Sequence, residues 1–165
     1  PWEQTPFLGP LAMERQRDRV ESYIASAKEE GATVVLGGGR PAGVDHGFFV
    51  EPTLIDGVRN DMRVAQEEIF GPVVSVITYE DEEEAIAIAN DSIYGLSGAV
   101  YTADLEHGFE VAQRIRTGTV SVNATIIDFT VPFGGYKQSG VGREGGVEGL
   151  EEFFETKTVH LPATG

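Results

Sequence analysis

The sequence predicts an α/β chain organised around a parallel-sheet βαβαβ core. Between residues 73 and 123, strand-like and helix-like stretches alternate: VVSVITY, DEEEAIAIAND, LSGAVY, the segment 104–117 and TVSVN. The links between them are short, as expected of parallel strands joined by right-handed crossover helices. The composition is that of an ordinary globular protein, 41% hydrophobic and 24% charged. With 165 residues, the chain can bury roughly 70% of the surface it exposes when unfolded.

The elements follow in order. Residues 1–10 (PWEQTPFLGP) read as an extended lead-in, because proline fixes φ and removes a helix donor. From about Met13 a helix begins. Val20, Tyr23, Ile24 and Ala27 recur at i, i+3, i+4 and i+7, and Gly31 is a natural stop. ATVVLGG is a short strand ended by the turn region GGGRPAGVDHG, which lacks the G-K-[ST] ending of a phosphate cradle. FFVEPTLID is a strand whose Pro52 suggests an edge or a bulge.

VVSVITY is the next strand. DEEEAIAIAND is a helix with its acidic residues in the first turn, where the macrodipole favours them, so the run 80–84 reads as a solvated helix start. LSGAVY is a second strand of the core. The helix 104–117 places Leu105, Phe109, Ala112 and Ile115 on one face and stops at Gly118, and TVSVN is the third strand. Ligands of such sheets gather beyond the carboxyl ends of the strands, which points to the stretch after Asn123. Asn123 itself is expected to fix backbone there. A long loop, VPFGGYKQSGVGREGG, then leads to a short helix, VEGLEEFFE, and a final strand, KTVHLP.

Twelve Lys+Arg against 27 Asp+Glu give a net charge of −15. That argues against a nucleic-acid partner, since such binding depends on basic side chains neutralising phosphates. There are no cysteines, hence no disulfides, no thiolate metal site and no cysteine nucleophile in this chain. His46, His107 and His160 are scattered without ligand spacing, so no metal site is expected. No run approaches the roughly 20 apolar residues of a membrane span, and no signal segment opens the chain. A cytoplasmic protein is expected. The first residue is Pro1, not Met, as expected of a piece of something longer.

Gly140, Gly142 and Gly145 have the spacing G-x-G-x-x-G of a dinucleotide-binding turn. That fingerprint needs a strand directly before it and an acidic residue about 20 positions on. YKQS precedes the glycines, and the position 20 beyond Gly145 is Gly165, the last residue. The favoured reading is a connection whose glycines permit positive φ and close packing.

Several stretches, in order along nearly the whole chain, closely resemble the aldehyde dehydrogenase superfamily. They are FLGPLAMERQRDRV, EEGATVVLGGG, GFFVEPTLI, AQEEIFGPVVSV, ANDSIYGLSGAVYT, RIRTGTVSVN, PFGGYKQSGVGRE and ETKTVHLP. EEIFGPV and PFGGYKQSG-x-GRE are the most specific. The resemblance implies the C-terminal portion of a much longer enzyme. Residues 1–153 correspond to the later part of the catalytic domain, and 154–165 to the oligomerisation strand and tail. The Rossmann domain, the nucleophilic cysteine and the general-base glutamate then lie before Pro1.

The resemblance also implies roles. Glu68 binds the nicotinamide-side ribose of NAD or NADP, and Phe70 lies against that end of the cofactor. Gln16 and Arg19 match positions that can touch the ribose or adenine side, whereas Glu67 is expected to be structural. Phe133, with Ile126, Ile127 and Phe129 in the preceding loop, is implied to line the aldehyde tunnel. The implied activity is NAD(P)-dependent oxidation of an aldehyde to a carboxylic acid by the complete homo-oligomeric enzyme, with this chain inactive alone. Two other readings stay open. One is a non-catalytic module that associates through its C-terminal strand, and the other an independent dinucleotide-binding module using the glycine pattern.

Overall fold

The computed structural model describes residues 8–124, 128 and 130–163. The chain divides into two compact units, Pro1–Ala85 and Ile86–Gly165.

The first unit contains α1 (Glu14–Glu29), β1 (Thr33–Leu36), β2 (Thr53–Asp56), α2 (Arg63–Gln66) and β3 (Val73–Ser75). The strands form one sheet in the order β1-β2-β3. β1 runs antiparallel to β2 with Val34 opposite Ile55, and β3 runs parallel to β2 with Leu54 opposite Val74. The apolar face read from the sequence, Val20, Tyr23, Ile24 and Ala27, is the buried face of α1. It packs with Val50, Ile55, Met62 and Val64 into the core of this unit. Gly31, at φ +99°, ends the helix in a conformation that other residues rarely adopt. The short α2 has no cap of its own. Instead the Glu30 carboxylate, at the end of α1, accepts the Arg63 N–H at 3.0 Å. Between α2 and β3 the chain passes so close to α1 that a Cβ on Gly71 would overlap Cγ2 of buried Val20.

The second unit follows from within α3 (Glu82–Asn90). It contains β4 (Tyr94–Gly95), β5 (Ser97–Val100), α4 (Leu105–Arg114), β6 (Thr119–Val122), β7 (Tyr136–Lys137) and α5 (Gly146–Glu151). β5 and β6 are parallel, with Ala99 opposite Ser121, and α4 is their crossover. β4 pairs antiparallel with β7. Asp104 caps α4 by accepting the N–H groups of Glu106 and His107 at 3.0 and 3.1 Å. Lys137 donates to the carbonyls of Asn90 and Ser92, both at 2.9 Å, and so joins β7 to the end of α3.

The α/β class agrees with the sequence, α2, β4 and β7 are additions to the elements read from it, and three expectations are corrected. First, the stretch 73–123 does not form a single five-element sheet. β3 hydrogen-bonds to β2, and only β5-α4-β6 forms the expected parallel unit. Second, α4 does not turn Leu105 and Phe109 to the sheet. They are 63% and 61% exposed, and Gly108 is buried instead. A Cβ at Gly108 would stand 2.6 Å from Thr102 Cγ2 and 2.9 Å from Val122 Cγ1. The helix therefore approaches the strands along its small residue. Third, residues 157–162 form no strand. A strand exists only in a ladder, and among the described residues this segment pairs with no other strand.

Candidate functional site

The sequence-predicted cofactor residues converge in the first unit. Glu67 to Gly71 link α2 to β3 and line a cleft of ≈ 400 Å³ together with Val64, Val73 and Ser75. Glu68 is half-buried there, and Phe70 is 71% exposed. Phe70 has φ +54°, in the left-handed region. For a bulky residue this backbone costs about 1–3 kcal/mol and persists only where its surroundings impose it.

The surroundings here are two side chains of α1. Gln16 Nε2 donates to the carbonyl of Ile69 at 3.0 Å and to that of Phe70 at 2.8 Å. Arg19 Nη2 donates to the carbonyl of Glu68 at 3.2 Å and to the Tyr23 hydroxyl at 3.1 Å. Three consecutive carbonyls are thus held from one helix, one turn apart. The sequence assigned all four residues to one ligand, and the structure does gather them, but Gln16 and Arg19 meet the loop through its backbone.

Glu67 belongs to the scaffold. Its Oε2 accepts the Tyr23 hydroxyl at 2.7 Å and faces Arg63 Nε at 3.4 Å. The Arg63 guanidinium lies 4.0 Å from the Tyr23 ring centroid, a cation–π distance. The Tyr23 hydrogen bond, followed by the Arg63 charge, holds the Glu67 carboxyl below the usual glutamate range. Tyr23 was legible only as a core residue; its ring is fully buried while its hydroxyl reaches the loop. The i, i+4 spacing of Arg63 and Glu67 was the signal in the sequence for their pair.

In the second unit, Phe133 lines a groove of ≈ 1020 Å³ along β5 and β6. Its backbone is fixed by reciprocal hydrogen bonds with Glu144, both 2.7 Å. Ile126, Ile127 and Phe129 lie outside the described residues. Their neighbours Ala124, Asp128, Val131 and Pro132 line the same groove. Asn123, with φ +52° at the carboxyl end of β6, accepts the Thr102 N–H at 2.8 Å and donates to the Thr102 carbonyl at 2.7 Å. It fixes backbone, as its position suggested.

The glycine loop is occupied by the protein itself. Gly140, Gly142 and Gly145 all have positive φ. The N–H of Arg143 is donated to Glu152 Oε1 at 2.6 Å, and that carboxylate lies over Gly142. The anion held at this turn is a side chain from the end of α5. Among the described residues, no cluster of His, Asp and Glu is arranged to hold a metal, and no helix is long and apolar enough to cross a membrane.

The first unit carries a carboxylate–aromatic loop gripped by a preceding helix and the second a parallel strand–helix–strand unit, all in an α/β fold, and comparison with known proteins identifies the family. The aldehyde dehydrogenase family model matches residues 1–159, and the chain belongs to that family. It is 49% identical over 164 residues to a betaine aldehyde dehydrogenase of Brucella melitensis, covering 98% of this chain and 34% of that protein. Among solved structures, a Mycobacterium tuberculosis aldehyde dehydrogenase complexed with NAD+ is 57% identical with a TM-score of 0.91, over 94% of this chain and 32% of that one. A betaine aldehyde dehydrogenase variant from Staphylococcus aureus, in complex with NAD+, is 50% identical with a TM-score of 0.85, over 88% and 30% of the two chains. The chain therefore spans about a third of the length of the relatives it matches.

The Glu67 contact has a testable pH dependence. Because its carboxyl is held low in the folded state, the stabilisation is present at neutral pH and is lost as pH falls through the carboxylate range. Tyr23→Phe removes the donor and raises the Glu67 pKa. In urea denaturation the variant is expected to be less stable than the parent at neutral pH, with the gap narrowing once Glu67 is protonated. A gap that does not change with pH would contradict this reading.

Proposed function

We propose that this chain is the part of an NAD(P)-dependent aldehyde dehydrogenase that holds the nicotinamide-side ribose and walls the passage of the aldehyde. The complete enzyme oxidises an aldehyde to its carboxylic acid. One observation carries the reading: Glu68 and Phe70 flank an open cleft on a single constrained turn, in a chain 57% identical to an enzyme complexed with NAD+. The chemistry fits. A carboxylate accepts hydrogen bonds from both hydroxyls of a ribose, and the exposed aromatic face confines a flat ring beside it. The dinucleotide, when bound, supplies the hydride acceptor.

The remaining roles follow from the same reading. Phe133, with Ile126, Ile127 and Phe129 beside it in sequence, forms the apolar side of the aldehyde passage. Residues 1–153 belong to the catalytic domain. The thiolate that attacks the aldehyde comes from outside this chain, which has no cysteine, so the 165 residues alone have no dehydrogenase activity. In the full-length enzyme, Glu68→Gln is expected to weaken NAD+ binding about tenfold or more, the effect of losing a hydrogen bond to a charged group. Unchanged NAD+ affinity in titration calorimetry would overturn the assignment of Glu68.

A second role concerns assembly. Val159 and Leu161 are 71% and 84% exposed in a segment without a strand partner. We propose that residues 157–162 form their ladder against a neighbouring subunit, an addition of a strand to an open sheet edge. Deleting 157–162 from the full-length enzyme is expected to lower its oligomeric state in light scattering. An unchanged mass would exclude this edge as the contact.

A further inference from the structure

We infer that Gln16 is a positioning residue, which sets the Glu68–Phe70 turn before any cofactor arrives and does not itself supply a polar contact through its amide nitrogen. The functional consequence rests on the reading of Glu68 and Phe70 just proposed, while the structural claim stands on its own. The carbonyl oxygens of Ile69 and Phe70 lie 3.0 and 2.8 Å from the same nitrogen of Gln16. Only the NH₂ end of the amide can face two acceptors, so its orientation is fixed and both of its protons are committed. Nε2 has no donor left for a ligand.

What the two bonds hold is specific. They fall on the peptides that enter and leave Phe70, the residue with φ +54°. That backbone is unfavourable for a phenylalanine left to itself. Gln16 spans 53 and 54 positions of sequence to reach these groups, and α1 can come close enough because residue 71 is glycine. Helix α1 is in turn fixed by the buried Val20, Tyr23 and Ile24. A rigid element therefore dictates where the Phe70 ring and the Glu68 carboxylate stand, which is how a preorganised site avoids the cost of ordering a loop on binding.

Gln16→Leu removes both donors, and Gln16→Glu keeps the shape but turns an acceptor toward the two carbonyls. The full-length enzyme without cofactor is followed by amide hydrogen exchange at Glu67 and Val73, whose N–H groups donate to the Arg63 and Gly71 carbonyls at the two ends of the turn, and NAD+ affinity is then measured by titration. Both variants are expected to exchange about tenfold faster at these two amides, as for a loss of two neutral hydrogen bonds, with exchange in β2 unchanged. Their NAD+ affinity is expected to fall. In the double variant with Glu68→Gln the losses are expected to be clearly less than additive, since part of the effect of Gln16 runs through Glu68. Unaltered exchange at Glu67 and Val73 in both variants would overturn the inference whatever happens to NAD+ binding. Faster exchange with fully additive binding losses would overturn the claim that Gln16 acts through the turn. Faster exchange with no effect of Glu68→Gln on NAD+ would refute the cofactor reading and leave the positioning of the turn standing.

Discussion

Three consecutive carbonyls, those of Glu68, Ile69 and Phe70, accept hydrogen bonds from Gln16 and Arg19 on α1. Without that grip, the six residues joining α2 to β3 would be a surface loop free to choose its backbone. With it, a phenylalanine is kept in a left-handed conformation and a carboxylate is offered to a cleft. The grip in turn depends on the core of the first unit. Val20, Tyr23 and Ile24 seat α1 on the sheet, and Gly71 allows the chain to pass against the helix. Tyr23 links the two levels, since its buried ring belongs to the core and its hydroxyl orders Glu67. Core packing and the geometry of the turn are therefore parts of one arrangement.

The second unit uses the same device with other residues. Asn123 takes the left-handed conformation at the end of β6, and its amide engages both backbone groups of Thr102. Ala124, which follows it, lines the groove on which Phe133 borders. In the glycine loop the backbone is shaped to hold an anion, and Glu152 supplies that anion from within the chain. The Arg143 N–H of this turn is therefore already engaged by a carboxylate of the same chain.

Periodicity made the buried face of α1 legible, and the EEIFGPV stretch drew attention to Glu68 and Phe70, which the structure places beside one cleft. What escaped has physical reasons. The apolar stripe of α4 pointed to Leu105 and Phe109 as the packed face, yet close approach of the backbone is governed by the smallest residue, and Gly108 lies under the helix. The alternation of strands and helices suggested one sheet, because a sequence gives the order of strands and not their neighbours; β3 chose β2. KTVHLP has the pattern of a strand, but a ladder needs a second edge. Gln16 and Arg19 were found through the resemblance, and their use could not be, since hydrogen bonds to carbonyls across some fifty residues leave no trace in local pattern.

The central claim is that α1 presents a ready-made turn whose carboxylate meets the nicotinamide-side ribose. A crystal structure of the full-length enzyme with NAD+, compared with the same enzyme free of cofactor, tests it most directly. The expected result is a Glu68 carboxylate within hydrogen-bond distance of the ribose hydroxyls, with the Gln16 bonds to Ile69 and Phe70 present in both states. A ribose held elsewhere, or a turn that takes up its left-handed backbone only when NAD+ is bound, would contradict the account.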